Sequence, residues 1–162
     1  MNPVDAIGIE QVWLRLVVAV LIGSVFGLNR ELHGKAAGLR THALVTLGAA
    51  MAAMIALPPA AVGSSADPNA LGRIIQGILT GVGFLGAGVI LRDPAGHVTG
   101  LTTAATIWVC AGLGISCGLG YWSLVGVSGA LVFAVLICGR SIERVAERTL
   151  KRHPNEPPDH GV

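Results

Sequence analysis

Five long stretches almost free of charge limit what this chain can fold into more than any other feature. They run from Trp13 to Leu28, about Thr41 to Leu57, Ile74 to Leu91, about Leu101 to Leu119 and about Trp122 to Gly139. Each is near the roughly 17–25 residues that cross a bilayer as a helix. Charge, proline or glycine bounds them; Pro58-Pro59 closes the second, because proline cannot continue a helix. Within hydrocarbon every backbone N–H and C=O must be satisfied by the spanning structure itself, which leaves helices or barrel strands. Barrel strands alternate polar and apolar residues over about ten positions, and these runs are apolar nearly all round. The expected fold class is an all-α membrane protein, a polytopic bundle of about five transmembrane helices.

Composition points the same way. Of 162 residues, 52% are hydrophobic and 12% charged, whereas a soluble domain devotes about a quarter of its residues to charge. The formal charge of +2 is small, and the basic residues sit at segment ends and in the tail. They form no stripe interleaved with aromatics, so nucleic acid is not an expected partner. Cys110, Cys117 and Cys138 lie inside apolar runs, where thiols behave as small hydrophobes, and they imply no disulfide framework. The first run follows Asp5 and Glu10 and ends at Asn29, Arg30 and Glu31 without a small-x-small site. It reads as a retained helix, not a cleaved signal peptide.

The lysines and arginines set an expected topology. Arg30, Lys35 and Arg40 join the first two helices, Arg92 joins the third and fourth, and Arg140, Arg144, Arg148, Lys151 and Arg152 fill the tail. Only Arg73 lies on the other side, with Arg15 able to snorkel toward it. The positive-inside rule then puts the amino terminus outside and the carboxyl terminus in the cytoplasm, with Trp13 and Trp122 at the outer boundary. The segment from Pro58 to Gly72, rich in Pro, Ala, Gly and Ser, reads as a flexible outer connector. The sequence divides into a transmembrane domain, residues 1–140, and a basic cytoplasmic tail, residues 141–162. Arg140, Arg144 and Arg148 repeat every four residues, and Glu147 to Lys151 is a favourable i, i+4 pair. The tail reads as a helix lying against anionic headgroups or simply fixing topology. Its end, 153–162, reads as disordered.

Gly81-Val82-Gly83-Phe84-Leu85-Gly86 spells the GxGxxG dinucleotide fingerprint. The match is a decoy, since a Rossmann site needs a preceding strand, a helix opening at the glycines and an acid about 20 residues on; position 106 is a threonine. What Gly77, Gly81, Gly83, Gly86 and Gly88 supply is thinness, including a GxxxG pair, which lets membrane helices approach closely. That predicts tight packing of the third and fourth helices, with homo-oligomer contact or a permeation path as alternatives. Thr99, Thr102, Thr103 and Thr106 are read together on the fourth helix, with 99, 102 and 106 on one face. They serve as interhelical glue or as a polar site.

Arg30, Glu31, Arg40, Thr41 and His42 gather ionisable groups at one boundary. They read as interface anchors or, with Thr102 and Thr106, as one functional patch in which Arg40 or His42 pairs with Glu31 or a headgroup. No His or Cys pair has metal-ligand spacing, and no carboxylate lies mid-membrane, so neither a metal site nor a cofactor is expected. Nucleophile and base constellations are missing as well, which argues against an enzyme.

Three strings carry a family resemblance. Gly27-Leu28-Asn29-Arg30-Glu31 is followed by Ala37-Gly38-Leu39-Arg40-Thr41-His42-Ala43-Leu44-Val45. Then come Gly81-Val82-Gly83-Phe84-Leu85-Gly86-Ala87-Gly88-Val89-Ile90 and Gly100-Leu101-Thr102-Thr103-Ala104-Ala105-Thr106-Ile107-Trp108. In order and spacing they resemble the MgtC/SapB family of bacterial inner-membrane proteins, over about residues 13–140. The resemblance implies a multi-pass inner-membrane protein linked to growth in low magnesium and, in pathogens, to survival inside macrophages. It implies a regulator of other membrane proteins, with the membrane sector of the F-type ATP synthase as one partner. A small ion transporter or channel subunit is the alternative. With the sequence given ending at Val162, the resemblance is to the shorter SapB-like type, without the carboxy-terminal ACT-like domain of the virulence-associated members.

Overall fold

The computed structural model describes residues 7–57, 68–92, 94 and 96–150, leaving aside the side chains of residues 68 and 140–150. The elements are helix α1 (Ile9–Glu31), α2 (Leu39–Ile55), α3 (Pro68–Gly88), strands β1 (Leu91–Arg92) and β2 (Val98–Thr99), α4 (Leu101–Leu119) and α5 (Trp122–Leu150). Helices α1, α3 and α4 and the Trp122–Gly139 part of α5 are long and apolar enough to cross a membrane. The 17-residue α2 is also apolar but shorter, rising about 26 Å.

Three expectations change here. The stretch from Pro68 to Gly72, read as part of the outer connector, is the first turn of α3, where proline is tolerated because its missing N–H would have no helical partner. Residues 58–67 of that connector lie outside the described residues. The third helix stops at Gly88, short of Leu91, because Leu91 and Arg92 pair antiparallel with Thr99 and Val98 in a hairpin. Thr99 therefore belongs to β2 and its hydroxyl reaches the Leu91 carbonyl at 3.4 Å, so it shares no helical face with Thr102 and Thr106. Two left-handed glycines bracket α4: Gly100 (φ +89°) leads out of the hairpin and Gly120 (φ +77°) caps the end. The backbone of α5 runs unbroken through Gly139 to Leu150, and residues 151–162 lie outside the described set.

The centre of the bundle is α4. In its most apolar 18-residue stretch 61% of residues are buried, against 11% for α3 and 11% for α5. Ala49 and Ala53 of α2, Val82 of α3 and Ile107, Ala111 and Ile115 of α4 form one apolar cluster, while Ala19, Ala50, Cys117 and Val125 form a second. Phe26, Cys110, Leu113 and Leu136 form a third, in which α5 leans on α1 through Phe26 and Phe133, ring centroids 6.3 Å apart and edge to face. With no hydrophobic force between helices in lipid, association rests on van der Waals packing, and small residues set how close the backbones come.

The glycines that set this approach are not the ones expected from the third run. A methyl group at Gly27 would lie 2.5 Å from the Leu39 Cα and 2.7 Å from the Gly38 carbonyl; at Gly23 it would lie 2.6 Å from the His42 carbonyl. At Gly114 it would lie 2.9 Å from the Thr46 Cα, and at Gly118 3.0 Å from the Ala50 Cα. So α1 and α4 each press a GxxxG face onto α2. Among the described residues, Gly77, Gly81, Gly83 and Gly88 have nothing within 4 Å of such a methyl, and of these five α3 glycines only Gly86 abuts a neighbour, Ala104 at 3.5 Å. The tight centre is α1, α2 and α4, because α3 turns most of its glycines outward.

At the end where α1 begins, Arg15 turns inward instead of snorkelling. Its Nη1 donates to the Gly118 carbonyl at 2.7 Å, placing a cation at the carbonyl-rich terminus of α4, where the helix dipole favours positive charge.

Candidate functional site

Polar side chains converge at the opposite end, where α1 finishes and α2 and α4 start. Arg30, in the last turn of α1, is 2% exposed, and its Nη2 donates to Thr103 Oγ1, in the first turn of α4, at 2.5 Å. His42, in the first turn of α2, is fully buried; its Nδ1 faces the Gly38 carbonyl at 2.9 Å and its Nε2 faces Thr106 Oγ1 at 3.3 Å. Thr106 donates back to the Thr103 carbonyl at 2.8 Å. One turn deeper in α2, Thr46 is also fully buried and its hydroxyl shares a proton between the His42 and Ala43 carbonyls, at 2.9 and 3.0 Å. The cluster ties all three central helices together, α1 to α4 through Arg30 and α2 to α4 through His42.

Chemically this is a clamp. A buried guanidinium is costly unless hydrogen bonded, and charge-assisted bonds are stronger than neutral ones. The Thr103 hydroxyl accepts from the Arg30 guanidinium, while the hydroxyl protons of Thr106 and Thr46 go to backbone carbonyls within the preceding turn, so these polar groups find partners in an apolar surround. Outside the clamp, Glu31 is exposed and its Oε2 accepts the Leu39 N–H at 2.9 Å, capping α2 from the end of α1. It thus holds a backbone amide, not Arg40 or His42 as the sequence suggested.

The seven residues expected to form one patch separate into two groups. Arg30, His42 and Thr106 are brought together and buried, whereas Glu31, Arg40 and Thr102 are exposed and Thr41 is half-buried. All seven lie at the same end of the bundle, six on the terminal turns of α1, α2 and α4 and Thr106 on the second turn of α4. Two members were missed. Thr103 is the hydroxyl that meets Arg30, although Thr102 was the one placed in the patch. Thr46 sits four residues after His42, and that i, i+4 spacing was the signal available for it.

The sequence matches the MgtC family over residues 16–145. The chain belongs to that family. It is 44% identical to protein SrpB of Synechococcus elongatus over 140 residues, covering 82% of this chain and 76% of SrpB. It is 37% identical to protein MgtC of Salmonella typhimurium over 141 residues, 87% of this chain and 56% of that protein. It is 37% identical to YhiD of Escherichia coli over 127 residues, 76% of this chain and 58% of YhiD, whose name proposes a magnesium transporter. The chain thus spans little more than half the length of the MgtC and YhiD proteins it matches. No solved structure matches it significantly. Membership in the MgtC family bears out the resemblance read from the three strings, and with the four spanning helices it makes this a multi-pass membrane protein. The match to the family takes in all three helices of the clamp.

Proposed function

We propose that this MgtC-family chain is a non-enzymatic regulator of other proteins in the bacterial inner membrane. A rigid α1–α2–α4 core presents a polar rim to its partner. The observation that carries this reading is the use of the buried polar groups: Arg30, His42, Thr46, Thr103 and Thr106 are spent on bonds between and within helices. Grooves at membrane depth among the described residues are lined by apolar residues and glycine, as between α1 and α5 by Leu21, Val25, Phe26 and Gly129 and between α2 and α3 by Leu44, Gly48 and Gly81. Hydrogen bonds that lock helices suit a scaffold, whereas a path for a hydrated divalent cation needs oxygen ligands facing an opening. The exposed Arg40 and Thr102, at the starts of α2 and α4, are the rim residues assigned to the partner. The membrane sector of the F-type ATP synthase, suggested by family resemblance, is the first candidate. Magnesium transport, which the name of YhiD suggests, is the second reading.

Purified chain in liposomes loaded with a magnesium indicator separates the two. The expected result is no magnesium entry above protein-free vesicles, together with crosslinking in native membranes to a membrane protein that an Arg40→Lys variant of normal abundance no longer captures. Lysine keeps the charge but not the planar fork. Protein-dependent magnesium entry would replace the regulator reading with the transporter one.

The proposed orientation has the amino terminus outside, which puts the clamp and the rim on the cytoplasmic side with the basic loops. A phosphatase reporter should then be active when inserted after Ala60 and silent after Val162. The reverse pattern would move the rim to the outer face and remove cytoplasmic partners from consideration.

A further inference from the structure

We propose that the outward face of α3 pairs with the same face of a second copy of this chain, about a two-fold axis normal to the membrane. The face is in the wrong solvent for a monomer. Arg73, Gln76, Gly77, Thr80, Gly81 and Phe84 are all exposed, on the side of α3 opposite the residues that pack on α4. Gln76 lies about 12 Å along a helix about 31 Å long, well inside the hydrocarbon if α3 spans. Thr80 gives its proton to the Gln76 backbone carbonyl at 2.8 Å and is satisfied. The Gln76 side-chain amide makes no hydrogen bond among the described residues, and lipid tails offer it none.

The amide also identifies the occupant. A primary amide donates and accepts at once, so two of them facing across a two-fold axis satisfy each other, which no acyl chain can do. Copies inserted with the same topology can only meet in parallel, the arrangement that an axis along the membrane normal gives. Close approach is available as well, because a methyl at Gly77 or Gly81 would have nothing within 4 Å. The GxxxG pairs of α1 and α4 are already pressed against α2; the pair on α3 is the same device with no partner among the described residues. Beside it runs an apolar groove of about 390 Å³ between α2 and α3, walled by Leu44, Gly48, Gly77 and Gly81. Phe84, 82% exposed one turn along α3 from Gly81 of that wall, is offered to the groove of the other copy reciprocally. Helices crossing at small residues diverge toward their ends, which separates the two Arg73 side chains toward the headgroups.

This inference is independent of whether the chain regulates or transports. Its test uses the full chain in lipid nanodiscs or vesicles, with Cys110, Cys117 and Cys138 replaced by alanine and single cysteines placed at Thr80, at Phe84 or, as a control, at Val135, which is 69% exposed on α5. Mild oxidation should give disulfide-linked dimers from the two α3 positions and none from Val135. No dimer from α3, or equal dimer from Val135, would overturn the proposal. In a resonance-energy-transfer titration in vesicles, Gln76→Leu should raise the dimer dissociation constant about tenfold, the loss expected for an interhelical polar pair. The melting temperature of the monomer should not fall, since the change puts an apolar side chain on a lipid-exposed face. An unchanged dissociation constant would overturn the amide pairing.

Discussion

Gly114→Leu or Gly118→Leu is expected to remove folded protein from the membrane, while Gly81→Leu leaves its abundance near wild type. At Gly114 even a single methyl would sit 2.9 Å from the Thr46 Cα and 3.0 Å from the Ala49 Cβ, and against the Thr46 carbonyl. At Gly118 it meets the Ala50 backbone in the same way. Apart from the Ala49 Cβ these are backbone atoms of α2, which cannot rotate aside as a side chain can, so α2 and α4 must separate. Separating them exposes the buried faces of Ala49, Ala53, Ile107, Ala111 and Ile115 to each other across a gap and strains His42 away from Thr106. Overpacking of this kind costs about 1–3 kcal/mol when neighbours can yield, and more when they cannot. Against a total stability of about 5–15 kcal/mol, a leucine there is severe. Quantitative immunoblotting of isolated membranes and melting in mild detergent both read the effect. Equal loss at Gly81 and Gly114 would show that α3 packs more tightly than described.

The same comparison shows what the sequence could and could not tell. Length and apolarity located all five helices, because the bilayer fixes how much backbone must be satisfied internally whatever the side chains are. Three helices carry a GxxxG pair, Gly23/Gly27, Gly77/Gly81 and Gly114/Gly118, and nothing local tells which pairs face inward. In water an apolar stripe would mark the inner face, but runs apolar nearly all round give no such stripe, so the densest glycine cluster drew the packing assignment wrongly to α3. The threonines failed for a related reason. Placing Thr99 on a helix made 99, 102 and 106 share a face; once Thr99 moves into β2, the inward pair is Thr103 and Thr106, one turn apart. Arg30 and His42 were legible because ionisable groups at a helix end are rare in such a chain, and Thr106 because it belongs to the run of threonines that opens the fourth helix. Their burial was not, since it depends on Gly23 and Gly27 letting α2 close over them.

Breaking the bond between Arg30 and Thr103 is expected to be the most damaging of the polar changes. Arg30 stays buried in Thr103→Val, a substitution of nearly unchanged shape, so a charged donor loses the Thr103 hydroxyl as an acceptor inside an apolar surround. Hydrogen bonds to charged groups contribute about 1.5–3 kcal/mol, which is the loss expected when one such bond to a buried guanidinium is removed. Arg30→Lys should be similarly harmful, since an ammonium cannot reproduce the reach and planarity of the guanidinium. The neighbouring Thr102 is exposed and outside the clamp, so its hydroxyl matters to a partner and not to the fold. The decisive measurement is therefore the melting temperature of Thr103→Val and Thr102→Val side by side, in the same detergent and lipid. The clamp predicts a fall of several degrees for Thr103→Val and none for Thr102→Val. Equal shifts, or a larger fall for Thr102→Val, would contradict it.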